Sequence, residues 1–177
     1  MNEIPNICIR QATAKDAKLI AIISRTTFHD SFAAQNTKEN MDKFMNEQFT
    51  EENLKAEVGA PGNTFFIASA DKVAAGYIKL REAKKPKVLR RIDCIEIARI
   101  YALKHHIGKG IGSALMQTAI DVAKGKNKTV LWLGVWRFNQ LAIDFYTQWG
   151  FKKFGEHDFL LGDDLQTDWL MKKELYN

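Results

Sequence analysis

Residues 101–124 read YALKHHIGKGIGSALMQTAIDVAK, a β-rich end that breaks into a glycine-rich turn and opens an amphipathic helix. Upstream, Ile95, Ile97, Ile100 and Tyr101 make a strand-like run, and Gly108, Gly110 and Gly112 remove the β-carbon at three places where the chain must turn. Backbone of that kind bends tightly and approaches a ligand closely. The first turn of the helix, from Ile111 through Ser113, offers N–H groups with no carbonyl partner at the positive end of its dipole. A phosphate or pyrophosphate fits there. Two familiar glycine turns fail on spacing. In a nucleotide P-loop Lys109 would be followed by Ser or Thr rather than Gly110, and Leu103 stands where the first glycine belongs. A dinucleotide fingerprint would put Ser113 or Leu115 at its third glycine.

The downstream stretch VLWLGVWRFNQLAIDFYTQWGF, residues 130–151, reads as a strand over 130–135, then Asn139, then a helix over about 140–149. The two segments together resemble the GNAT superfamily of acetyl-CoA-dependent N-acetyltransferases. That family's cradle pattern, Gln/Arg-x-x-Gly-x-Gly/Ala, is matched by Gly110 and Gly112, with Ile107 where Gln or Arg usually stands. Its second pattern recurs as Asn139, Ala142, Phe145, Tyr146, Gly150 and Phe151. Residues 26–49, with Thr27-Phe28, Phe32, Asn36 and Glu39-Asn40-Met41, and the segment Gly162, Asp163, Gln166, Thr167, Asp168 are similar to the Pai-type bacterial spermidine/spermine N-acetyltransferases.

The resemblance implies an α/β fold of the α+β kind. It has a mixed, mostly antiparallel central sheet flanked by helices, with a splayed strand pair forming the acetyl-CoA cleft. It also implies acetyl-CoA as cosubstrate, a small-molecule amine as acceptor and no metal. Backbone of Ile100, Tyr101 and Ala102 would bond the pantetheine arm as an added strand does. The turn from Ile107, Gly108 and Lys109 through Gly110, Ile111, Gly112 and Ser113 would cradle the pyrophosphate, and Asn139, Ala142 and Phe145 would flank the arm. Tyr146 would protonate the departing thiolate. Glu96, eleven positions before Ile107, falls where several members carry a catalytic glutamate. A carboxylate there has the alternative of an ion pair with Arg99 or a lysine. Ala98 stands where some Pai-type members have a second acid, which leaves a bound water as an alternative acceptor. Surface histidines His105 and His106 sit beside the turn, within reach of a phosphate.

Length and composition bound the rest. The chain has 177 residues, 46% of them hydrophobic, and is expected to form a single domain over 1–177. No apolar run approaches the ~20 residues of a membrane span, and the charged N-terminus does not read as a signal peptide. Cys8 and Cys94, far apart and outside any Cys/His cluster, argue against a disulfide framework and a zinc site, so a cytoplasmic protein is expected. The net charge is +5, and basic residues gather in two groups, Lys84, Lys85, Lys87, Arg90 and Arg91, and Lys124, Lys126 and Lys128. The first reads as a hairpin connection and the second as a helix C-terminus; neither interleaves aromatics, so nucleic acid is not the expected partner. Trp136, Phe138 and Trp169 are the aromatics that would build a dimer surface if exposed.

Periodicity predicts a strand over 8–11, a helix after Thr13 burying Ala17, Ile20, Ala21, Ser24 and Phe28, and a helical stretch over 37–58 broken near Thr50. A hairpin over 65–70 and 73–80 turns at Asp71-Lys72, and a central strand covers 92–103. Ile111, Ala114, Leu115, Thr118, Ala119 and Val122 are expected on the buried face of the cradle helix, with final strands near 151–159 and 168–173. From residue 156 to 168 the chain holds Glu156, Asp158, Asp163, Asp164 and Asp168 without a Lys or Arg. With Glu39 and Glu47 they would line an acidic groove suited to a polyamine, an exposed loop being the plainer alternative. An aromatic or flat groove would instead favour a peptide or another small amine.

Overall fold

The computed structural model describes residues 5–83 and 85–176; Lys84, of the first basic group, lies outside them. The strands are β1 (Ile7–Gln11), β2 (Asn63–Ala70), β3 (Val73–Arg81), β4 (Cys94–Ala102), β5 (Val130–Trp136), β6 (Lys152–Leu161) and β7 (Asp164–Glu174). They form one seven-stranded sheet in the order β1-β2-β3-β4-β5-β7-β6. Every neighbouring pair is antiparallel except β4–β5. The helices are α1 (Ala17–Phe32), α2 (Lys38–Gln48), α3 (Glu51–Gly59), α4 (Ile111–Gly125) and α5 (Gln140–Gln148).

Local chemistry explains the boundaries. Thr13 and Asp16 cap each other reciprocally at a short 3-10 turn before α1, and Asp16 also takes both terminal nitrogens of Arg10. Thr37 and Thr50 each accept a backbone N–H two to three residues into α2 and α3, which is why the helical stretch divides at Thr50. Asp71 and Lys72 take the left-handed φ values of 50° and 71° that a two-residue hairpin turn needs. Around the sheet the side chains form two main cores, one under α4 and α5 and one under α1 to α3.

Two elements differ from what the sequence pattern predicts. The buried face of α4 is rotated from the expected one: Ile111, Leu115, Met116, Ala119, Ile120 and Ala123 are buried, whereas Ala114, Thr118 and Val122 are only half-buried. Thr118 turns its hydroxyl back onto the Ala114 carbonyl instead of packing. The acidic stretch is no loop, because the turn at Gly162-Asp163 joins β6 and β7 into one long hairpin. Its register puts Asp168 opposite His157, and the alternation sends Glu156 and Asp158 to the other face.

Candidate active site

The parallel pairing of β4 with β5 runs only from Cys94↔Val130 to Ile97↔Leu133 and then stops. Beyond it, β4 pairs with β3 alone, through Arg99↔Lys79, Ile100↔Ile78, Tyr101↔Tyr77 and Ala102↔Gly76. On the other side, residues 134–136 of β5 pair with β7 alone. The cause lies in β4: Leu80 pairs with Ile97 and Lys79 with Arg99, so Ala98 is an extra residue in the strand. Such a bulge bends and twists its strand locally. Close support comes from Gly76, where a Cβ would stand 2.4 Å from the Tyr101 carbonyl oxygen. The strands therefore open into a cleft of about 1030 Å³ with the backbone of residues 98–102 along one edge.

At the mouth of that cleft the glycine turn enters α4. Gly110 is the N-cap residue with φ 88°, and Gly108 has φ 78°, both in the left-handed region. The first intrahelical bond runs from the Ala114 N–H to the Gly110 carbonyl, so the N–H groups before it are free for an anion. Ile107, Gly108, Gly110, Gly112 and Ser113 line the cleft, together with Ile100, Tyr101 and Ala102. Lys109 is exposed outside that lining, and the Ile111 side chain is wholly buried in the core, so only its backbone faces the turn. The rings of His105 and His106 lie 4.3 Å apart, tilted by 47°, and do not line the cleft. A valine at position 110 meets a double penalty: left-handed backbone costs about 1–2 kcal/mol for a residue with a side chain, and its Cβ would stand 3.2 Å from Ile7 Cδ1. Titration calorimetry of Gly110→Val with acetyl-CoA is expected to show at least roughly tenfold weaker binding.

Across the cleft, Asn139 caps α5 by accepting the Ala142 N–H at 3.2 Å, and Ala142 and Phe145 line the wall behind it. Tyr146 is 8% exposed, and no protein group among the described residues takes its hydroxyl, which faces the cleft. Burial raises its pKa, so the phenol stays protonated at neutral pH. Tyr101 is likewise raised, by burial first and then by its neighbours Tyr77 and Tyr146, with Asp168 adding to it.

Glu96 is 6% exposed but is held bidentately by Arg81, with Nε at 2.6 Å and Nη2 at 2.9 Å, and it does not line the cleft. Its partner is thus neither Arg99 nor a lysine. Arg99 instead grips Glu57, which also receives Lys79 Nζ at 2.9 Å. Burial works to raise the Glu57 pKa, yet Arg99 and Lys79 outweigh it and hold the carboxyl below its ordinary value.

Of the seven acids expected around an acidic groove, Glu39, Glu47, Glu156, Asp158, Asp163 and Asp164 do not line the cleft. Glu39 is exposed on the first turn of α2, and Glu156 pairs with Lys153. Asp158 points away on the opposite face of the hairpin. Asp163 accepts from Lys43 and the Asn40 side-chain oxygen takes its N–H, while Asp164 takes Gln166. Asp168 does line the cleft, as does a wall of rings that composition alone did not reveal. Phe28 stacks on Phe44 at 4.5 Å, Phe44 meets Phe159 at 5.5 Å, and Phe32 meets Trp136 at 5.8 Å. Trp136 therefore turns inward and Trp169 lies half-buried beneath Lys153, leaving Phe138 as the exposed member of the expected dimer aromatics.

Residues 25–151 match the family model of the acetyltransferase (GNAT) family. The chain belongs to the GNAT acetyltransferase family. It is 40% identical over 169 residues to an N-acetyltransferase of Lactobacillus delbrueckii subsp. lactis, covering 94% of this chain and 96% of that one. A spermidine N(1)-acetyltransferase of Thermoplasma acidophilum is 24% identical over 173 residues, covering 96% and 98%. The crystal structure of PaiA N-acetyltransferase from Thermoplasma acidophilum in complex with coenzyme A superposes with TM-score 0.78 at 24% identity, covering 96% of this chain and 99% of that chain. As a GNAT enzyme the protein is an acetyl-CoA-dependent N-acetyltransferase. The splayed strands, free helix N-terminus and unpartnered Tyr146 hydroxyl fit that cosubstrate. Among the described residues no group of three His, Cys, Asp or Glu could hold a metal ion, and no helix is long and apolar enough to cross a membrane.

Proposed function

We propose that this enzyme works as one catalytic domain in the cytoplasm and acetylates the primary amine of a small molecule whose apolar body lies against the ring wall. The observation that carries the reading is Tyr146: a buried phenol with an unclaimed hydroxyl, on the helix facing the open end of β4. Acetyl-CoA would set its pyrophosphate on the α4 N-terminus and run its arm along residues 98–102, which brings the thioester toward Tyr146. Attack by the amine forms the C–N bond as the C–S bond breaks, and the thiolate takes the Tyr146 proton. The acetyl oxygen finds a backbone N–H near Ala102. Rings of Phe44, Phe159 and Trp136 favour an alkyl or aryl amine body, since cations and apolar surface both bind aromatic faces.

A polyamine is the second reading, and the Thermoplasma spermidine acetyltransferase is what favours it. Six of the seven acids expected to hold it, all but Asp168, stand outside the cleft lining, which is why it ranks second. No nucleic-acid partner is proposed, and of the three aromatics named for a homodimer surface Phe138 is the exposed one. Thiol release from acetyl-CoA separates these readings when phenethylamine, spermidine, an aminoglycoside and a lysine-rich peptide are compared. Phenethylamine is expected to give the highest kcat/KM. A preference for spermidine would install the second reading, and turnover with peptide alone would overturn both.

A further inference from the structure

The acceptor reaches the cleft mainly as an ammonium, with only about one alkyl amine in a thousand unprotonated at neutral pH. Something must take that proton. Glu96 is poorly placed to do so, because a guanidinium occupies both its oxygens and it does not line the cleft. Asp144 does line it, but lies exposed at the rim with an oxygen already accepting from Gln140. Asp168 is different. Its side chain is 14% exposed, faces the cleft from β7, and pairs with no Lys or Arg among the described residues.

Directly opposite on β6 stands His157, whose Nε2 lies 3.5 Å from Asp168 Oδ2. The imidazole is 48% exposed, so the pair spans from the sheltered cleft to solvent. Gly134 of β5 makes room for it: a Cβ there would stand 3.3 Å from His157 Nε2 and 3.4 Å from Asp168 Oδ2. We propose that Asp168 and His157 form the route by which the acceptor ammonium loses its proton, Asp168 taking it in the cleft and His157 carrying it to water. This rests on the acetyl-transfer reading above.

The protons balance along that route. The ammonium N–H bond breaks with its electron pair left on nitrogen, and the proton passes through Asp168 to the neutral imidazole and out to bulk water. The freed lone pair forms the C–N bond, the C–S electrons leave on sulfur, and Tyr146 protonates the thiolate. The second nitrogen proton then restores Tyr146. One proton is released per turnover.

The groups facing His157 fix the direction of its titration. Asp168 is the strongest influence and raises it, burial opposes, and Glu96 from β4 and Asp158 on its own strand add to the rise; Arg81 from β3 is engaged by Glu96. The imidazole must be neutral to take the proton, so kcat/KM is expected to climb as pH rises through a His157 value above its ordinary one.

The test measures kcat/KM for phenethylamine and spermidine from pH 6 to 9.5 in the wild type, Asp168→Asn and His157→Asn, with an NMR titration of His157 alongside. Asp168→Asn is expected to lose at least ~100-fold at pH 7. The deficit should shrink below about tenfold at pH 9.5, where roughly a quarter of an alkyl amine is already unprotonated. His157 should titrate at lower pH in Asp168→Asn than in wild type. A deficit of equal size at both pH values, or a His157 midpoint that does not move, would overturn the route while leaving acetyl transfer intact. A wild-type protein that turns over none of the amines would overturn the acetyl-transfer reading itself.

Discussion

Replacing Glu57 with alanine is expected to destabilise the protein by about 3–5 kcal/mol, the cost of stranding buried charge. Glu57 sits at the end of α3 and is the shared carboxylate for Lys79 on β3, 3% exposed, and for Arg99 on β4. The two cations also stand over the Phe65 and Phe49 rings, at 5.5 and 5.1 Å from the ring centres. Lys79 already has its pKa lowered, by burial first and by Arg99 second. Without the carboxylate it would be driven further toward its neutral form, which softens the loss but does not remove the Arg99 charge. Denaturant midpoints at neutral pH would measure the effect. The sign with pH follows from the depressed Glu57 value: its contribution is present above the unfolded carboxylate range and fades as pH falls through the native pKa. The gap between wild type and Glu57→Ala should therefore close in acid. Because Lys79 and Arg99 also line the cleft, the same network stiffens the bulged stretch of β4 on which the cosubstrate arm would rest.

Tyr146→Phe is expected to lower kcat by roughly 100-fold or more while leaving acetyl-CoA affinity within a small factor, since general acid catalysis is worth about 10²–10⁴. The substitution removes one oxygen from a side chain that packs by its ring against Phe145 and Phe151, so the fold should be preserved. Rapid thiol-release kinetics would show the loss in kcat, and calorimetry would show acetyl-CoA still binding. A variant that lost binding and turnover in equal measure would give Tyr146 a packing role instead.

What the sequence made legible is the part written in local pattern. Gly108, Gly110 and Gly112 mark the turn, Asn139 marks the cap of α5, and alternation and turn residues mark the hairpin at Asp71-Lys72. These signals lie within a few residues of the geometry they specify. The ion network was hidden because its members are 22 and 42 residues apart and nothing in the chain states which carboxylate answers which cation. Glu96 illustrates the same point, with Arg81 rather than nearby Arg99 as its partner across the β3–β4 ladder. The acidic stretch was misleading for a different reason. Charge counted along the chain ignores the two-residue period of a strand, and in the β6–β7 hairpin that period separates Asp168 from Glu156 and Asp158. The ring wall was equally unseen, since Phe28, Phe44, Phe159 and Trp136 come from four elements and meet only once the sheet has opened.

A crystal structure of the protein with acetyl-CoA decides whether Tyr146 serves the departing thiol, because one distance is enough. The expected complex has the pyrophosphate on the N–H groups that follow Gly110, the arm beside residues 98–102, and the thioester sulfur within hydrogen-bond reach of the Tyr146 hydroxyl. A cosubstrate bound with its sulfur away from Tyr146, or outside the opening between β4 and β5, would contradict it.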